Sequence, residues 1–190
     1  MEPGTAADIL ALDEALDAAE REARDIVDGL SGERGIWRPA PGVWSVAECL
    51  DHLATGNRVY VDAMRDPAAR AQAEGRVRRG PARPGLVGGW FARSMEPPVS
   101  ARFKMKAPVK IRPRSSPALA DAFDAFLIAH EGVRVFLRTY AGIDLTGVTF
   151  PNPFIRGVRF SLATGLHVIT AHERRHLWQA RRVRELVIAR

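Results

Sequence analysis

The chain has 190 residues and 46% hydrophobic content, enough for one buried core and too few for two, so a single domain over residues 1–190 is expected. No run of about 18 apolar residues occurs, and Met-Glu-Pro-Gly at the start lacks the basic-then-apolar pattern of a secretory leader, so neither a membrane span nor export is expected. The net charge of +6 is concentrated: residues 65–114 hold 13 Lys/Arg against 3 Asp/Glu, a local excess of +10 that leaves −4 for the rest.

A basic segment of this kind attracts phosphates or carboxylates. It carries no nucleic-acid-binding motif and offers only Trp90, Phe91 and Phe103 for stacking on bases, which argues for a solvated, anion-friendly loop and against nucleic acid as partner. The single cysteine, Cys49, precludes an internal disulfide and fits a reducing compartment, so a cytoplasmic location is expected.

In chain order, apolar residues recur at Ile9, Leu12, Leu16, Ala19, Ala23, Ile26 and Leu30, the alternation of threes and fours of a helix with one buried stripe over Ala6–Leu30. A proline-rich connection, RPAPGVW, then leads to Ser45-Val46-Ala47-Glu48, a capping box in which serine and glutamate satisfy each other's free amides. A second helix is therefore predicted from Ser45 to about Met64, with Val46, Leu50, Leu53, Asn57, Tyr60 and Met64 on one face. Residues 66–115 contain seven of the 13 prolines and no sustained period, which predicts a long loop with a short helix near Gly88–Met95. Ser116-Pro117, a cap residue before a proline, predicts the start of a third helix running to about Tyr140, with Leu119, Phe123, Phe126, His130, Val133 and Leu137 as its stripe. The connection AGIDLTGVTFPNPF precedes a fourth helix from about Phe160 to the C-terminus, and no strand is predicted. The expected fold is all-α: an antiparallel four-helix bundle with a long basic, proline-rich crossover between helices two and three.

The fourth helix contains His172-Glu173-Arg174-Arg175-His176, the H-E-x-x-H pattern with which zinc proteases place two ligands and a base on one helix. With about 100° per residue, His176 falls about 40° and His172 about 80° from the centre of the stripe of Leu162, Leu166, Ile169, Ala180 and Val187, so both imidazoles share one flank. The protease extensions are missing. Gln179 and Arg182 stand where metzincins have glycine and a third histidine, and Glu185 lies on the same helix, too far along to bend back to one ion. A third ligand must come from upstream. On the second helix, His52 shares a flank with Cys49 and Gly56, and periodicity alone does not bring it to the fourth helix.

The remaining polar residues have competing readings. Glu173, about 20° from the buried centre by helical geometry, must be hydrogen-bonded, ligating or protonated. It could orient an imidazole, act as general base or pair with an arginine, and the first and last of these are favoured over the base. His130 reads as a hydrogen-bonded core histidine, with an outer position around the metal as the alternative. Cys49 reads as a small buried residue, with a thiolate ligand as the alternative. His167 and Trp178 point away from the core.

The string WRPAPGVWSVAECLDHLA over residues 37–54, followed more than 100 residues later by HERRHLWQARRV, resembles the DinB/YfiT-like superfamily of four-helix bundle proteins. The resemblance implies a metal site built from one histidine near the middle of the second helix and two ligands four apart on the last, here His52, His172 and His176. Three imidazoles leave a coordination position open, as in catalytic rather than structural zinc sites. Zinc and nickel suit such donors, with iron and manganese as further candidates. Some relatives resemble transferases or isomerases that use a low-molecular-weight thiol such as bacillithiol or mycothiol, held as thiolate at the metal. The resemblance therefore implies a metal-dependent thiol S-transferase acting on a small-molecule substrate, and the +10 balance of residues 65–114 makes that basic segment the expected receiver of the thiol's carboxylates. A metal-dependent hydrolase, with Glu173 as its candidate catalytic base, and a non-catalytic metal-binding stress protein are the alternatives. The family also implies a homodimer, with Trp178 as an interface candidate.

Overall fold

The computed structural model describes residues 6–98 and 107–190. In chain order the described elements are α1 (Ala7–Val27), α2 (Gly32–Ile36), α3 (Val46–Ala73), α4 (Leu86–Met95), a 3-10 turn (Val109–Ile111), α5 (Leu119–Tyr140), β1 (Thr149–Pro151), β2 (Arg159–Ser161) and α6 (Leu162–Ile188). The predicted bundle is present: α1 and α3 each pack against both α5 and α6 and so occupy opposite corners, and the long connection spans the second and third bundle helices, α3 and α5. None of the described helices is long and apolar enough to cross a membrane.

The stripe of α1 is buried as its periodicity requires, from Ile9 to Ile26. The helix ends before Leu30 because Gly29 turns the chain at φ +66°, a conformation that side chains resist. A short helix, α2, follows where only connection was predicted, capped by Ser31 Oγ accepting from the Arg34 amide. The capping box of α3 forms as read. That helix does not stop near Met64, however. It continues to Ala73 with Pro67 inside it. An internal proline costs about 3 kcal/mol, and the extension offsets this by burying Ala68 and Ala71 in the core. The predicted loop over residues 66–115 is correspondingly shorter and holds α4, which packs on α6. Gly88 permits that approach, since a Cβ there would stand 2.5 Å from the Thr164 side chain.

Helix α5 starts later than predicted: Ser116 lies at φ +50° outside the helix, and Ala118 is the cap position without a side-chain bond. A small antiparallel hairpin corrects the expectation of no strands, with Phe150 opposite Phe160 and both buried. Its two strands are three residues each, too short for alternation to register. The loop between them delivers Asn152, Phe154 and Ile155 to the wall of a large cavity.

The core is divided along the bundle axis. One apolar half is centred on Leu16, Met64, Leu137 and Leu166, the other on Ile26, Leu50, Phe126 and Leu177. Between them lies a buried polar layer of Asn57 from α3, His130 from α5 and Glu173 from α6, none more than 1% exposed.

Candidate metal centre

The site is assembled from the first turns of α3 outward. Ser45 Oγ accepts from the Glu48 amide at 3.2 Å, and the Glu48 carboxylate accepts from the Ser45 amide at 3.0 Å. The same carboxylate, 2% exposed, also takes the guanidinium of Arg38, so the connecting loop and the helix start are locked together. One turn further along is His52. The loop places Trp44 against it, with ring centroids 4.7 Å from His52 and 5.6 Å from His176.

His172 and His176, one turn apart on α6, meet His52 across the helix interface. The three ring centroids are 4.4–4.8 Å apart, and one nitrogen from each ring lies within 4.8 Å of the others. His52 and His172 face each other through Nε2 atoms 2.9 Å apart, although 120 positions separate them in sequence. Gly56 makes room: a Cβ there would sit 3.2 Å from Cε1 of His172.

Hydrogen bonds assign the nitrogens. His52 Nδ1 donates to the carbonyl oxygen of Ile111, and His176 Nδ1 to Gln179 Oε1 at 3.2 Å. Each leaves its Nε2 with a lone pair. Burial lowers the pKa of His52 and holds His172 and His176 well below the ordinary imidazole range; the neighbouring imidazoles add to this for His172 and His176, and the Arg175 guanidinium for all three. The cluster is thus neutral, the state in which imidazole binds a metal. A lone pair on His52 facing His172 at 2.9 Å is satisfied by a shared proton or a shared cation. Metal–imidazole bonds of about 2.1 Å put two such nitrogens on neighbouring positions of one ion. The donor set therefore fits a divalent metal of the zinc, nickel or iron type and not calcium or magnesium, which demand oxygen.

The cluster forms part of the wall of a cavity of about 1380 Å³. Trp44, Tyr60, Phe91, Met95, Phe154 and Val168 give it apolar sides, and the segment 107–115 closes one flank. That segment is fastened to α3 by consecutive residues. The Arg114 amide and Nε donate to Asp51 at 2.8 and 2.7 Å, while His52 holds the Ile111 carbonyl.

Glu173 is in the core and does not line the cavity among the described residues. Its Oε1 accepts from Asn57 Nδ2 at 2.7 Å and from His130 Nδ1 at 2.9 Å. Burial would lower the pKa of His130, but the hydrogen bond and charge of Glu173 outweigh it and raise the imidazole above its ordinary value. Of the pairings read from sequence, the arginine partner is replaced by His130 and Asn57, and neither bonds to the three clustered histidines. Cys49 is fully buried with its thiol pKa pushed up by burial, outside the cluster. His167 does not point into solvent: its Nε2 lies 3.1 Å from the Ala82 carbonyl, under the loop after α3. Trp178, read as an exposed interface residue, lines the cavity with Arg182 stacked 5.0 Å above its ring. Of the basic segment, Arg112 and Arg114 reach the cavity, Arg78 pairs with Asp8, and residues 102, 104 and 106 lie outside the described residues.

The helical period places Asn57 on the buried face of its helix but does not pair it with Glu173, and Trp44, Arg175, Gln179 and the Ile111 carbonyl are not read from the sequence as parts of the site. Of these last four, Trp44 left a signal, as the last aromatic of the W-x-P-x-P-G-x-W-S loop at residues 37–45. No curated protein and no solved structure matches the chain. The DinB superfamily model matches residues 15–180, from within α1 to within α6 and including every residue of the histidine cluster, and the chain belongs to that superfamily.

Proposed function

We propose that His52, His172 and His176 hold a divalent metal and that the chain is a metal-dependent transferase joining a low-molecular-weight thiol to a small electrophile. The observation that carries this reading is the position of the histidine cluster in the wall of a cavity open to ligands. A structural site would be closed by a fourth protein donor. The cavity volume, about 1380 Å³, exceeds the roughly 300–1000 Å³ typical of a site for one ligand and leaves room for two.

A bound divalent cation would supply Lewis acidity, drawing the pKa of a coordinated thiol or water towards neutrality. The residues of the chain do the rest. Ile111 and Gln179 fix the ring orientations, Trp44 shields two imidazoles from water, and Arg175 helps keep all three unprotonated. In the reaction proposed, the thiol sulfur bonds to an electrophilic carbon, the electrons of the bond broken there leave with the departing group, and the thiol proton passes to solvent. Hydrolysis is the second reading and is less well served. It needs a base near the attacking water, and the one carboxylate among the described lining residues, Glu48, is committed to Arg38 and the helix cap.

The test is consumption of 1-chloro-2,4-dinitrobenzene by metal-replete protein with and without cysteine as thiol. Turnover that requires thiol, metal and His52 supports the transferase. Ester cleavage without thiol supports the hydrolase, and inactivity of fully loaded protein in both assays supports a non-catalytic metal-binding role.

A further inference from the structure

Charge is distributed unevenly around the cavity. Five guanidinium groups line it, from Arg38, Arg112, Arg114, Arg175 and Arg182, against the single carboxylate of Glu48 among the described residues. Two of the five are neutralised locally, Arg38 by Glu48 and Arg114 by Asp51. Arg112 is held by the Ala107 carbonyl at 3.4 Å, and Arg182 lies 5.0 Å over the Trp178 ring. A carbonyl dipole and an aromatic quadrupole fix a guanidinium in place but leave its charge uncompensated.

The histidine cluster adds to this imbalance. Its three imidazoles are neutral ligands, so a divalent cation there keeps its full charge, without the carboxylate that often offsets it. Apolar walls around the cluster focus such a field, while Arg112 and Arg182 are exposed and act partly screened by water. The same cavity presents Trp44, Tyr60, Phe91, Met95 and Phe154, so a fully hydrated ion leaves most of its surface unmatched.

We infer that the cavity selects an organic anion with an apolar body: its charged end is drawn by Arg112, Arg182 and the metal, and its hydrocarbon part lies against the aromatic wall. The metal's share of this field rests on the proposed function; the share of Arg112 and Arg182 does not. Either substrate of the proposed reaction could carry the charge, the thiol through a carboxylate or the electrophile through its own.

The test uses three probes of nearly equal shape, 4-phenylbutyrate, 4-phenylbutyramide and 4-phenylbutylamine, titrated calorimetrically into the full-length metal-replete protein, with acetate as a fourth arm. The acid should bind at least about tenfold more tightly than the amide, the size of one charge-assisted hydrogen bond. The amine should bind more weakly than the amide, and acetate at least about tenfold more weakly than the acid. Arg182→Gln and Arg112→Gln should each weaken the acid several-fold and leave the amide unchanged, a pattern that partial unfolding cannot produce. Equal binding of acid and amide, a preference for the amine, or indifference of the acid to both substitutions overturns the inference. Metal content is measured on the same samples and on His176→Ala. If that variant keeps its metal, the proposed metal site fails, and the acid–amide difference in the arginine variants still decides the anion preference separately.

Discussion

Replacing Asp51 by alanine should loosen the segment over the proposed metal centre and weaken metal binding without unfolding the bundle. Asp51 is 2% exposed and accepts two bonds from Arg114, at 2.8 Å from the amide and 2.7 Å from Nε. The Arg114 side chain is 62% exposed, so once released its guanidinium regains water and only part of the interaction is lost. A cost of about 1–2 kcal/mol in stability follows, or a fall in melting temperature of about 2–8 °C for a domain of this size. The larger effect is on His52, whose Nδ1 donates to the Ile111 carbonyl three residues before Arg114. Losing the partner that orients a metal-ligating imidazole costs about 10–100-fold in metal affinity, about 1.4–2.7 kcal/mol. Competition titration of Co²⁺ or Zn²⁺ against a chromophoric chelator measures this. Arg114→Ala keeps the bond from its own backbone amide, so it should lower affinity several-fold and less than Asp51→Ala, but it should cost at least as much stability, because Asp51 is left buried with one carboxylate oxygen unpaired. Affinities of both variants within twofold of the parent protein, with His52→Ala abolishing binding, would refute the claim that the segment orients His52.

Gly56→Ala should weaken metal binding several-fold while leaving thermal stability near or above that of the parent protein. The new methyl crowds His172 Cε1 at 3.2 Å, whereas alanine favours the helix by about 1 kcal/mol; a normal metal affinity would show that the space beside His172 is irrelevant. Glu173→Ala leaves His130 and Asn57 buried without their acceptor and should cost about 3–5 kcal/mol, with Glu173→Gln, which keeps an acceptor oxygen, costing less; calorimetric melting in which the alanine variant falls by under 2 °C would contradict the pairing. For Asp8, burial alone would raise the carboxyl, but bonds from Arg78 and the Ala82 amide outweigh it and hold it below the ordinary 3.8. A depressed folded value stabilises above the unfolded one and is lost as pH falls through the folded one. Asp8→Asn should therefore cost about 1–2 kcal/mol at pH 7, and the difference should start to shrink near pH 3.8 and vanish below it; a difference that grows with acidity would contradict this.

The bundle was legible because each long helix carries a stripe that only one period explains. Ile9 to Ile26 on α1 are buried where the period puts them, as are Leu119, Phe126, His130, Val133 and Leu137 on α5, with Phe123 of that stripe only partly buried, and the Ser45–Glu48 box fixes where α3 begins. Ends were less legible, since they depend on tertiary packing. Pro67 argues locally for a stop, and only the core around Ala68 and Ala71 explains why the helix continues. At the site, spacing pairs His172 with His176, but the approach of His52 depends on two helices packing closely at Gly56, and only the family resemblance pointed to it. Glu173 illustrates the boundary. Its buried angle was readable, yet its partners come from two other helices, 43 and 116 positions away. The Ile111 carbonyl was invisible, because a backbone oxygen has no residue type to mark it.

Metal content per chain, measured by elemental analysis on protein purified without a metal-affinity tag, tests the central claim most directly. The parent protein and a His167→Ala control should carry one equivalent of a divalent metal, and His52→Ala, His172→Ala and His176→Ala should each carry almost none. Equal metal in all five proteins, or retention by His52→Ala alone, would contradict a shared site built from α3 and α6.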